Sequence, residues 1–129
     1  MALTLAEANR MVQAALAKAG EINVKVSIAV CDSGGNLLAF NRMDGSSAAS
    51  ATVAQGKAVA SASFGRPSGT LQADSPVIQA VLAAMGGRGL PARGAVPLVK
   101  NGELVGAIGG SGATAEQDEE CAQAGANTL

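Results

Sequence analysis

The dipeptide Asn101-Gly102 constrains this chain more than any other feature. It lies between two apolar runs, Val96-Pro97-Leu98-Val99-Lys100 and Glu103-Leu104-Val105-Gly106-Ala107-Ile108. Asn-Gly supplies the two consecutive positive φ angles of a type I′ turn, whose twist matches a pair of antiparallel strands. A second hairpin is predicted upstream. Val24, Val26, Ile28 and Val30 alternate with Lys25, Ser27 and Ala29, which gives a strand over 23–30 with one buried face. Asp32-Ser33-Gly34-Gly35-Asn36 forms the turn, and Leu37 to Arg42 returns as its partner. Pro97 has no N–H to donate, so the strand that carries it belongs at an edge or a bulge. Gly109-Gly110-Ser111-Gly112 is expected to bend sharply.

Helices fill the remaining segments. Thr4-Leu5-Ala6-Glu7 is a capping box, and Leu5, Ala8, Val12, Ala15, Leu16 and Ala19 follow at helical spacing. This predicts a helix over about 4–19, closed by Gly20. Residues 47–63 are rich in alanine and serine, interrupted only by Gly56, and predict a helix able to approach a sheet closely. Ser75-Pro76 starts a short helix with an apolar stripe at Val77, Ile78, Val81 and Leu82. Met85-Gly86-Gly87-Arg88-Gly89-Leu90-Pro91 is then a glycine-rich loop, of a length usually reserved for function or disorder. Thr114-Ala115-Glu116-Gln117 is a second capping box, and the helix after it runs to about Ala126 with an acidic start. The order is α-β-β-α-(α)-β-β-α. It predicts one α/β (α+β) domain over residues 1–129, with an antiparallel sheet of four to five strands flanked by helices.

Composition limits the chemistry. Apolar residues make up 48% of the 129 positions, but only 2% are aromatic, so the core is built from small aliphatic side chains. Such a core buries little area per residue, which favours a homo-oligomer. Nine Lys plus Arg without a basic run, and a net charge of −1, argue against nucleic acid. No apolar stretch is long enough to span a membrane. The N-terminal residues lack a basic region, so no secretory leader is expected and a cytoplasmic location is. Cys31 and Cys121 are far apart and are read as reduced thiols. There is no histidine. That excludes Ser-His-Asp and Cys-His relays, His-bearing zinc sites and His-ligated haem. No metal site is expected. Acid–base work falls to Asp, Glu, Lys, Cys or water.

Three stretches together resemble a known family. They are Val30-Cys31-Asp32-Ser33-Gly34-Gly35-Asn36-Leu37 running on to Arg42-Met43-Asp44-Gly45; Lys57-Ala58 running on to Phe64-Gly65-Arg66-Pro67; and Gly94-Ala95-Val96-Pro97-Leu98-Val99 running on to Val105-Gly106-Ala107-Ile108-Gly109 and Glu116-Gln117-Asp118. Their order and spacing resemble the GlcG/HbpS-like family, also called the haem-degrading domain family, which includes the C-terminal domain of PduO-type proteins. The resemblance covers nearly the whole chain and is weakest over 68–93. It implies a profilin-like sheet flanked by helices, symmetric oligomers from tetramer to octamer, and haem in some members. Other members sit beside genes for glycolate use or aromatic breakdown. For a haem here, Met11, Met43, Met85 and the two thiols are the remaining ligands.

Each candidate residue carries a functional and a structural alternative. Arg42 is placed to fork onto a substrate carboxylate, with Asp44 as base or orienting group; alternatively Asp44 caps the 47–63 helix beside a surface Arg42. Lys57 is the one charge in a long run of small residues, either a base or imine former, or a solvated or salt-bridged lysine. Phe64 and Arg66, with Arg88 and Arg93, surround the flexible segment, either receiving a small anion or making subunit contacts. Gly110 and Ser111 precede a helix start that offers backbone N–H groups to an anion, or else they serve close packing. Glu116 is a general base or part of a cap. Four functions follow: an oligomeric binder of a small organic acid or cofactor, with its pocket near 64–94 and the Arg42–Asp44 turn; a histidine-free isomerase, hydratase or hydrolase of small-molecule catabolism; an accessory subunit; or, as the resemblance implies, a haem-binding protein.

Overall fold

A computed structural model describes residues 2–129. In chain order the elements are α1 (Leu5–Glu21), β1 (Ser27–Asp32), β2 (Leu37–Arg42), α2 (Ala48–Phe64), a short 3-10 turn at Ser68–Thr70, α3 (Pro76–Ala84), β3 (Ala95–Lys100), β4 (Glu103–Ser111) and α4 (Ala115–Ala126). The expected order is therefore present, with four strands in one antiparallel sheet of order β2-β1-β4-β3. Asn101 and Gly102 take φ of 53° and 79°, the two positive values the β3–β4 turn requires. Pro97 lies on the edge strand β3, where its missing N–H breaks no ladder.

Three layers result. Ile28 and Val30 of β1, Val96 and Leu98 of β3, and Ile108 of β4 pack beneath α1 and α4 with Met11, Val12, Cys121 and Ala122. On the opposite face Ala29, Cys31 and Ala107 meet Ala54, Ala58 and Ala62 of α2. α3 lies outside α2, where Ile78 and Leu82 join Ala60, Leu71 and Phe64. Both α1 and α4 begin with the expected capping boxes, at Thr4/Glu7 and Thr114/Gln117.

Three boundaries differ from the sequence expectation. α1 passes through Gly20 to Glu21, because the Ile22 N–H still reaches the Lys18 carbonyl. β1 starts at Ser27 rather than Asn23. Asn23 adopts φ 60° and Val24 donates to the Ala19 carbonyl, so 23–24 belongs to the helix exit, while the Val26 carbonyl already accepts from the Met43 N–H at 3.0 Å. Both faces of β1 are buried, the second by Ser27, Ala29 and Cys31. The third difference lies in β4, which continues straight through Gly109 and Gly110. A Cβ on Gly109 would stand 2.5 Å from the Ala54 carbonyl oxygen of α2, and one on Gly110 would stand 2.7 Å from that of Asp118 in α4. These glycines serve close approach on the two faces of the strand, and the backbone turns only at Gly112, with φ 133°.

Candidate functional site

α2 crosses the sheet over β1, β4 and β3 and leaves the face of edge strand β2 largely uncovered. The glycine-rich loop after α3 returns along the same side. Between them lies a cleft of about 340 Å³, at the small end of ligand sites. Ala29 and Cys31 of β1 and Leu37 of β2 line it from the sheet, with Gly35 at the hairpin turn. Thr52, Gln55, Gly56, Ala58 and Val59 line it from α2, and Gly87, Arg88 and Leu90 from the loop. Loop 86–91 is tied down at two points. The Leu90 N–H donates to the Gly56 carbonyl at 2.8 Å, and Arg88 Nη1 donates to the Gly35 carbonyl at 3.2 Å.

Arg88 is the only charged residue that lines the cleft. Its guanidinium enters no salt bridge among the described residues. Nearby Asp32 is occupied in its own turn, accepting from the Gly34 and Asn36 N–H groups at 2.9 Å each. Gln55 spends an amide N–H on the Ala51 carbonyl and keeps its carbonyl oxygen as an acceptor. Thr52 adds a hydroxyl at the exposed rim. On the floor, burial pushes the Cys31 thiol up to about 12, helped by the charge of Asp32 and opposed by a hydrogen bond at Ala107 and by Arg88. The thiol stays protonated at neutral pH and behaves as a small hydrophobic group.

Of the ten residues singled out in the sequence, Arg88 alone lines this cleft. Lys57 is buried. Its Nζ donates to Asp118 Oδ2 at 3.1 Å and to the Gly110 carbonyl at 3.0 Å, pinning α2 to α4 and β4. Asp118 Oδ1 accepts from the Ala113 N–H, so the turn before α4 is satisfied from within. Gly110 and Ser111 lie in β4 itself. Arg42 donates to the Ser46 carbonyl at the far end of β2, and Asp44 is exposed beside it; Ser47, not Asp44, caps α2. Arg66 stacks over Phe64 at 5.9 Å, at the end of α2. Arg93 pairs with Glu119 at 3.1 Å, and both border a second, shallow groove with Glu116, Glu120 and Lys18. Sequence reasoning missed Gly35, Thr52, Gln55, Val59 and Leu90. The one available signal was Gly56 inside an alanine-rich helix. A Cβ there would stand 2.7 Å from Leu90 Cδ1.

The donor set suits haem poorly. Met11 is fully buried in the core, Met43 Sδ accepts from the Val26 N–H, Cys121 is fully buried, and Cys31, on the cleft floor, is nearly so, with burial holding its thiol protonated. Met85, half-buried at the end of α3, is the one thioether among the described residues outside these contacts, and no histidine or tyrosine exists to join it. No group of three or more metal-ligating side chains is present among the described residues. No helix among them is long and apolar enough to cross a membrane.

Comparison with known proteins gives concordant results. The family described as haem-degrading protein HbpS-like matches residues 3–127. An uncharacterised 15.0 kDa protein of the dhaT–dhaS intergenic region of Citrobacter freundii is 37% identical over 130 residues, covering 94% of this chain and 87% of that one. The crystal structure of a doubly substituted HbpS from Streptomyces reticuli superimposes with a TM-score of 0.88 at 33% identity, covering 100% of this chain and 88% of that one. A PduOC:haem complex superimposes with a TM-score of 0.88 at 23% identity, over 100% and 96% of the two chains, a likeness of fold.

Proposed function

The chain belongs to the HbpS-like family of haem-degrading proteins, and from that premise we propose that it is a cytoplasmic, homo-oligomeric binding module that holds a small organic acid in the α2 cleft. The observation that carries this is Arg88, the single charge on an otherwise uncharged wall. A guanidinium presents paired N–H donors that match a carboxylate, and charge-assisted hydrogen bonds of this kind are the strong ones. To bind, the acid's carboxylate replaces or shares the contact Arg88 now makes with the Gly35 carbonyl. Thr52 and the Gln55 carbonyl oxygen offer partners to a second polar group. Ala29 and Ala58 leave room for a short carbon body.

Binding without turnover is favoured over catalysis. The three acid–base groups expected from the sequence, Lys57, Asp44 and Glu116, lie outside the cleft lining. Within it the only ionisable group besides Arg88 is the Cys31 thiol, whose proton is held to about 12. Haem is disfavoured by the donor set described above and by a cleft that is small for a tetrapyrrole.

Calorimetric titration with glycolate, lactate, pyruvate and propionate tests the proposal, with haemin followed by its Soret band alongside. At least one acid should bind saturably, and Arg88→Ala should weaken it by about tenfold or more, as loss of a charged hydrogen bond predicts. Equal affinity in both proteins would overturn the assignment. So would a stoichiometric Soret shift with no response to any acid.

A further inference from the structure

We propose that Leu90 sets the length of acid that the cleft accepts, restricting it to short carbon chains. The inference rests on the acid-binding role proposed for the same cleft and extends it to ligand size. The deep walls include small side chains, Ala29 of β1 and Ala58 of α2. Against this floor the isobutyl group of Leu90 lies directly on the α2 backbone. Its Cδ1 and Cγ would both stand 2.7 Å from a Cβ on Gly56. The main chain fixes it there, through the 2.8 Å hydrogen bond from the Leu90 N–H to the Gly56 carbonyl. Gly89 is pressed in as well, since a Cβ at that position would stand 2.6 Å from Leu82 Cδ2. Leu90 is therefore a fixed wall, held from both α2 and α3.

Arg88 and Leu90 belong to one strap and are two residues apart. The span between their side chains is short: a Cβ on Gly35 would have Arg88 Nη2 and Val59 Cγ1 each at 3.5 Å, and Val59 follows the Leu90-covered Gly56 by three residues, about 4.5 Å of helix rise. A ligand whose carboxylate is held at Arg88 and whose body lies along Val59 and Ala58 meets the Leu90 side chain within a few carbon atoms. Longer chains have to displace a wall that the backbone holds. The glycine at position 56 has a matching purpose: any side chain there would push Leu90 into the cleft or off α2.

The test measures affinity for the straight-chain series acetate, propionate, butyrate, valerate and hexanoate by calorimetry, in wild type, Leu90→Ala, Leu90→Val and Arg88→Ala. Wild type should favour the short members. Leu90→Ala should move the optimum to longer acids, each newly accommodated methylene contributing about fourfold, so that the hexanoate-to-propionate affinity ratio rises tenfold or more. Leu90→Val should shift it in the same direction by less, and serves if the alanine variant melts too low to titrate. An unchanged ratio in a folded Leu90 variant, with binding still lost in Arg88→Ala, overturns the length-setting role and leaves the acid site standing. No binding of any acid by wild type overturns both.

Discussion

Replacing Lys57 by methionine would leave the Asp118 carboxylate beneath α2 without its cation, at a position where both side chains are almost wholly buried. Burial makes an unpaired charge expensive, so Lys57→Met should lower stability by about 3–5 kcal/mol. Adding Asp118→Asn should restore part of the loss, because an amide oxygen still accepts from Ala113. Urea denaturation of the single and double variants reads both effects, and a single-variant loss below about 1 kcal/mol would contradict the buried pair. The thiols give a second check. Cys31 is held protonated to about 12 and Cys121 to about 11, in each case chiefly by burial, against an ordinary value of 9.0. Native protein at pH 8 should thus react slowly with an alkylating reagent and quickly in denaturant. Linkage has a definite sign here. Above pH 9 the unfolded thiols ionise while the folded ones keep their protons, so stability should fall as pH rises from 9 towards 12.

At the scale of elements, the contact between α2 and β4 decides where the cleft lies. Gly109 lets the Ala54 carbonyl and the Ala58 N–H come within 2.5 and 3.0 Å of where its Cβ would be. That closeness seats α2 over the centre of the sheet and leaves β2 open. Gly109→Ala drives a methyl group against the α2 backbone, which a rotamer change cannot relieve, and should cost about 1–3 kcal/mol. It should also displace α2 and weaken acid binding, although Gly109 is absent from the cleft lining. A melting curve and a titration of the same variant measure the two consequences. A variant that keeps wild-type stability and affinity would show that the spacing of α2 is set elsewhere.

For the whole molecule, the surface left exposed is informative. Val77 is 69% exposed and Val81 36%, on a helix with no charged residue from Pro76 to Ala84. Leu5, Leu37 and Val99 are also at least half exposed. Val77 and Val81 stand one turn apart on α3 and form an apolar stripe that the homo-oligomer proposed above would cover. Light scattering at micromolar concentration should give a multiple of the 12.5 kDa chain mass, and Val77→Lys should lower it if α3 takes part. A wild-type mass near 12.5 kDa would overturn the oligomer.

The sequence by itself determined the elements and their order. Asn101-Gly102, the turn at 32–36 and the two capping boxes act over a few residues, so their rules are readable without the rest of the chain. It also excluded histidine chemistry outright, and the three stretches at 30–45, 57–67 and 94–118 carried the family. Tertiary structure alone decided which residues meet. Lys57 and Asp118 pair across 61 positions. The cleft gathers residues from Ala29 to Leu90 that share no local pattern. Of the candidate cations Arg42, Lys57, Arg66, Arg88 and Arg93, only Arg88 lines it. The reason is physical: a side chain's burial and partners depend on how closely α2, the sheet and the strap approach one another. That spacing is fixed by small residues, Gly56, Gly89 and Gly109, whose effect is felt only by the distant atoms they admit.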